Sequence, residues 1–260
     1  MRVALGIEYD GTGYVGWQRQ KSGVGVQAVV EKALSQIADE EVAVVCAGRT
    51  DTGVHATGQV VHFDTAAARS ERSWLLGANS KLPDDVNVAW AVSVSDEFHA
   101  RFSAVRRSYH YQILNRRYRS ALSRNRAWWV YEPLEAGAMQ EAANCLVGRH
   151  DFSAFRAAGC QASTPVRELA ELSVERRGDR IVITVRANAF LQHMVRNITG
   201  TLVAIGRGDR DPDWARSVLV GRDRTKGGIA APPHGLTLTG VEYPGEFGLP
   251  QNSCTDEIRL

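Results

Sequence analysis

The segment Gly48-Arg49-Thr50-Asp51-Thr52-Gly53-Val54-His55-Ala56 brings a guanidinium, a carboxylate and an imidazole into one short stretch of chain. It lies between two strand-like runs, near Val42–Ala47 and Gln59–Asp64, so Arg49, Asp51 and His55 are expected on a loop rather than inside a core. Loops held by a rigid scaffold often carry function, and a carboxylate presented there can serve as a nucleophile. A plain turn explains the same composition: Asp51 and Gly53 suit turn backbone geometry, with Arg49 solvated. Local composition leaves both readings open.

A second concentration runs from Arg101 to Trp129. It holds eight arginines (Arg101, Arg106, Arg107, Arg116, Arg117, Arg119, Arg124, Arg126) and no aspartate or glutamate, with Tyr109, Tyr111, Tyr118, Trp128 and Trp129 among them. Arginine with interleaved aromatics suits phosphate contact and base stacking. Charge scattered over solvated faces explains it equally well. No cluster has metal-ligand spacing: Cys46, Cys145, Cys160 and Cys254 are far apart and form no CxxC pair, so neither a zinc site nor a disulfide framework is expected.

The elements that must position these residues follow a repeated order. Val3, Leu5, Ile7 and Tyr9 alternate as a strand, and Val26 to Ile37 keep helical spacing. The two strands around the Asp51 loop, a helix near Ser70–Lys81 and a strand over Val86–Val94 complete βαββαβ, the split-βαβ or ferredoxin-like order. A second round begins with the strand at Tyr109, Tyr111 and Ile113. It continues with a helix over about Glu135–Val147, strands near Leu169–Arg176 and Ile181–Ala187 around an Arg177-Gly178-Asp179 turn, and a helix over about Leu191–Ile205. A short helix capped by Asp211-Pro212 and a strand over Leu236–Tyr243 end it. The expectation is an α+β protein of two ferredoxin-like halves with antiparallel sheets, 1–104 and 105–245, a ligand cleft between them and a loose tail over 246–260. The RNA recognition motif shares this order, but no RNP1-type pattern is present.

Composition is ordinary for a globular protein: 260 residues, 44% hydrophobic, 23% charged, net charge +2. No stretch reads as a signal peptide or a bilayer span, and the cysteine usage fits a reducing cytoplasm.

The loop string resembles the catalytic motif of the TruA family of tRNA pseudouridine synthases. Five more segments resemble the family's other motifs, in the same order. They are Tyr9-Asp10-Gly11-Thr12 with Tyr14, Gly16-Trp17-Gln18 and Gln20; Phe98-His99-Ala100-Arg101-Phe102 with Tyr109 and Tyr111; Asp151–Phe155; Phe190–Asn197; and Ala231–Leu236. The matches run from about Glu8 to Tyr243. Thr52 and Gln192 depart from the common pattern, where alanine and histidine are frequent, without replacing a residue of assigned chemical role.

The resemblance implies an isomerase that converts uridine to pseudouridine at positions 38, 39 and 40 of the tRNA anticodon arm. It needs no cofactor and no metal, and acts as a cytoplasmic homodimer. The resemblance makes Asp51 the nucleophile and Arg196 the guanidinium that keeps it ionised. Tyr109 stacks on the target base, and Arg49 takes the place that base vacates when it flips. The spacing of Arg196 puts it away from its helix's apolar stripe, while Tyr109 would also fit a core strand. His55 and His193 lack triad or ligand spacing and are read as structural or RNA-contacting. Two rivals stand further off. Glu8–Thr12 resembles a haloacid-dehalogenase motif but lacks its first aspartate, and a non-catalytic RNA-binding module on the same fold would have no need of Asp51.

Overall fold

Alternating apolar residues from Val3 to Ile7, all fully buried, become the central strand of a first unit formed by Met1–Arg107 and the chain from Thr237. The computed structural model describes residues 1–250. In this unit the order is β1 (Arg2–Tyr9), α1 (Val26–Ala38), β2 (Val45–Cys46), β3 (His55–Asp64), α2 (Glu71–Asn79) and β4 (Val86–Val94). β1 lies between β3 and β4, antiparallel to both, with Val3 opposite Phe63 on one side and Ser93 on the other. Trp74 on α2 is fully buried and meets the Phe63 ring edge-on at 5.1 Å. Ser70 caps α2 by accepting the Ser73 N–H.

The strand expected over Val42–Ala47 shrinks to two residues for a clear reason. The N–H groups of Val42 and Val44 bond to the side chains of Ser35 and Glu31 on α1, not to a neighbouring strand. Past Cys46, the Gln59 amide donates to the Gly48 carbonyl at 2.7 Å. The alternating burial of Val42 and Val44 survives without a ladder, which is why periodicity alone overextends the strand.

The second unit, Ser108–Leu236, uses β5 (Arg106–Asn115), β6 (Trp128–Val130), α3 (Ala136–Asn144), β7 (Gly148–Asp151), β8 (Val166–Arg177), β9 (Arg180–Ala187), α4 (Met194–Gly206) and α5 (Asp213–Gly221). Its strands lie in the order β5-β9-β8-β7, with β6 parallel on β5. Ile181, Ile183 and Val185 point one way from β9 into the core. The β8–β9 turn is made by Gly178 at φ +60°, a conformation favoured by glycine. Asp211 accepts the Trp214 N–H at 3.1 Å, so it caps α5 with Pro212 behind it, as the sequence implies. The short strands β6 and β7 are absent from the sequence expectation, since neither shows alternation.

The last strand, β10 (Leu236–Glu242), returns to the first unit. Thr237 and Leu238 pair parallel with His55 and Ala56 of β3, while β2 pairs with Val61 and His62 further along. The α+β class and a mostly antiparallel strand pairing agree with the sequence, the β10–β3 and β5–β6 pairs being parallel. Beyond β10, the Phe247 ring lies 5.2 Å from that of Phe98. The rest of the expected loose tail, residues 251–260, falls outside the described residues.

Candidate active site

The Asp51 loop is fixed by backbone approach. Asp51 is half-buried and opens a turn closed by the Val54 N–H on the Asp51 carbonyl at 3.1 Å, with Gly53 at φ +76°. Residues 9–18 wrap this turn. The Trp17 N–H donates to the Thr50 carbonyl at 3.0 Å, and the Tyr9 and Thr50 hydroxyls share a buried 2.7 Å hydrogen bond. Two glycines make the approach possible. A Cβ on Gly11 would sit 2.0 Å from the Val54 carbonyl oxygen, and one on Gly16 2.6 Å from that of Thr50. The Tyr9–Gln18 motif is therefore the cradle of the loop. Sequence reading found it as a signature but missed this role.

His55 departs from its expected place on the loop. It is the buried first residue of β3, and its Nδ1 accepts the Gly11 N–H at 3.0 Å. The pairing of its backbone with Thr237 draws it into the sheet. Asp10 comes within 3.1 Å of the same nitrogen, an ion pair only if the ring is protonated. Arg49 is exposed, two residues before Asp51.

Tyr109 and Arg196 belong to the second unit. Tyr109 on β5 is buried, with its ring edge-on to Phe190 at 5.0 Å. Arg196 lies in the first turn of α4, which starts at Met194, three residues later than expected, because His193 takes a left-handed conformation at φ +61°. A strap over residues 228–232 sets the direction of Arg196. Its Nε donates to the Ala231 carbonyl at 2.7 Å, and the Ala231 N–H donates back to the Arg196 carbonyl at 3.0 Å. The strap lies so close to α4 that a Cβ on Gly200 would fall 1.6 Å from the Ile229 carbonyl oxygen. The Tyr111 hydroxyl donates to Pro232 at 2.8 Å, and burial pushes that phenol far above its ordinary range despite Arg196 nearby. Asn197 ties the helix to the Asp151–Phe155 motif through the Phe155 carbonyl at 2.8 Å.

The arginine-rich stretch divides. Arg107 donates to the carbonyls of Ala47, Arg101 and Ala104 and braces the fold; Arg106 lies 3.7 Å from Glu242. Arg117, Arg119 and Arg124 are exposed.

The α+β fold that holds the Asp51 turn is that of a pseudouridine synthase, an isomerase, as the relatives of this chain show. The chain belongs to the tRNA pseudouridine synthase family, whose model matches residues 6–103 and 142–244. It is 54% identical over 258 residues to the tRNA pseudouridine synthase A of Methylococcus capsulatus, covering 99% of this chain and 95% of that one. The protein of the same name from Coxiella burnetii is 52% identical over 250 residues, 96% of each chain. That from Nitrosococcus oceani is 54% identical over 253 residues, 97% of this chain and 98% of that one. Among solved structures, the archaeal box H/ACA sRNP Nop10–Cbf5 complex superposes with a TM-score of 0.34 at 9% identity, covering 77% of this chain and 44% of that one. Family membership sets aside the reading as a non-catalytic binding module.

Proposed function

We propose that the chain isomerises uridine to pseudouridine at positions 38, 39 and 40 of the tRNA anticodon arm, with Asp51 as nucleophile. The observation that carries this reading is the Asp51 turn, a half-buried carboxylate held by backbone contacts from residues 9–18. Such pre-organisation suits a covalent intermediate that divides a hard reaction into easier steps. The bond from uracil N1 to the ribose breaks, the base turns, and C5 joins the same sugar carbon. C5 gives up a proton and N1 gains one, so the reaction balances without oxidant, nucleotide or metal.

In this reading Arg196 is the cationic partner of the Asp51 carboxylate, as the resemblance implies. Tyr109 stacks on the target base and takes part in removing the C5 proton. Arg49 fills the place of the flipped base, whose extrusion costs about a few kcal/mol. Among the described residues no helix is long and apolar enough to cross a membrane. We place the enzyme in the cytoplasm on the resemblance.

Incubation with an unmodified tRNA, followed by chemical mapping of pseudouridine, tests the reading. Product is expected at 38, 39 or 40 and should persist when transition metals are chelated. Product at other sites alone, or activity restored only by one transition metal, would count against it. A homodimer is part of the same proposal. Sedimentation equilibrium should show a dimer at micromolar concentration, and a fully active monomer there would remove it.

A further inference from the structure

From Arg116 to Tyr131 the chain carries no acidic residue, and three of its four aromatic side chains stay exposed. Tyr118 is 69% exposed, Trp129 41% and Tyr131 61%. Trp129 on β6 and Tyr131 just beyond it are two residues apart, so they point to the same side of the strand, with ring centroids 6.2 Å apart. The indole N–H of Trp129 donates to the Arg116 carbonyl at 2.9 Å. Its one polar atom is thereby satisfied by backbone, and what the ring offers outward is apolar surface.

Arg116 is spent locally: it lies over the Tyr118 ring at 5.0 Å and reaches Asp179 at 3.8 Å. Arg117, Arg119 and Arg124, in the same stretch of chain, are exposed. A buried-core explanation fails for aromatics this exposed, and a merely solvated arginine face would not need them. The combination of π faces and guanidinium groups is the one that single-stranded nucleic acid uses, with bases stacking and phosphates pairing.

We propose that this surface docks the RNA substrate, with Trp129 and Tyr131 receiving an unpaired base and Arg117, Arg119 and Arg124 meeting flanking phosphates. The proposal rests on the tRNA reading above and extends it to a surface formed entirely by the second unit. Base stacking and phosphate pairing respond differently to salt, which makes the two halves of the surface separable.

The test is the affinity for an unmodified tRNA transcript over a range of salt concentrations, with folding of each variant checked by thermal melting. Trp129→Ala with Tyr131→Ala should weaken binding roughly 5- to 150-fold at a fixed salt concentration and leave the log–log salt slope unchanged. Trp129→Phe with Tyr131 intact, which keeps a six-membered aromatic face but loses the fused pyrrole ring and its N–H, should recover part of that loss. Neutralising Arg117, Arg119 and Arg124 to Gln should reduce the slope by about 2–3, at roughly 0.7–0.9 per phosphate contact. Wild-type affinity and slope in both variants would overturn the surface while leaving the enzyme reading intact. So would loss of self-association with unchanged tRNA binding, which would make the patch a contact between copies of the chain. A wild-type protein that binds no tRNA would overturn the reading beneath it, and the surface with it.

Discussion

Asp51→Asn is expected to lower pseudouridine formation by about 10⁴-fold or more, the scale seen when a catalytic nucleophile is removed. The thermal midpoint should barely move. The Asp51 carbonyl that accepts the Val54 N–H is backbone and survives the change. Asparagine also tolerates turn geometry as well as aspartate does, so a residue kept only for the turn would lose nothing. The amide retains shape and hydrogen bonding but is a poor nucleophile. Single-turnover measurement on unmodified tRNA separates the two cases, since the variant should still bind. Substantial product from a folded Asp51→Asn protein would defeat the mechanism.

Gly16→Ala should also be damaging, by a different route and to a smaller extent. Gly16 sits at φ +95°, and its Cβ would lie 2.6 Å from the Thr50 carbonyl oxygen and 3.0 Å from the Asp51 carbonyl carbon. Both obstacles are backbone, so relief requires the loop itself to move. A displacement near 1 Å costs on the order of 10²-fold in rate, and the strain should lower stability by roughly 1–3 kcal/mol. Gly13→Ala is the control, because a Cβ there meets nothing within 4 Å. The expected pattern is a large fall in kcat for Gly16→Ala, with tRNA affinity little changed, and near wild-type behaviour for Gly13→Ala. Equal activity in the two variants would mean that the cradle does not set the position of Asp51.

Much of this was legible in the sequence because periodicity reports burial directly. Val3 to Tyr9, Val26 to Ile37 and β9 each alternate or recur with the period of the element they form. Where backbone bonds to side chains instead of to another strand, as at Val42 and Val44, the pattern persists but the strand does not. β6 and β7 were illegible for the opposite reason, being short polar or aromatic runs that depend on a distant partner. His55 was assigned to the wrong side of a boundary because nothing local announces that Thr237 will pair with it. The candidate chemistry at Asp51 was visible as a motif. The reason for Gly11 and Gly16 was not, since a close approach between segments forty residues apart has no sequence signal except the glycines themselves.

The return of β10 to β3 has a consequence for the order in which the chain can fold. His55 must wait for Thr237, a separation of most of the polypeptide, while the second unit is contiguous from Ser108 to Leu236. During synthesis the second unit can therefore be complete while the edge of β3 beside the Asp51 turn still lacks its strand. Contacts so far apart in sequence form slowly, and an unpaired edge is open to wrong partners in the meantime. The turn that carries the candidate nucleophile is among the last parts of the molecule to receive its full support.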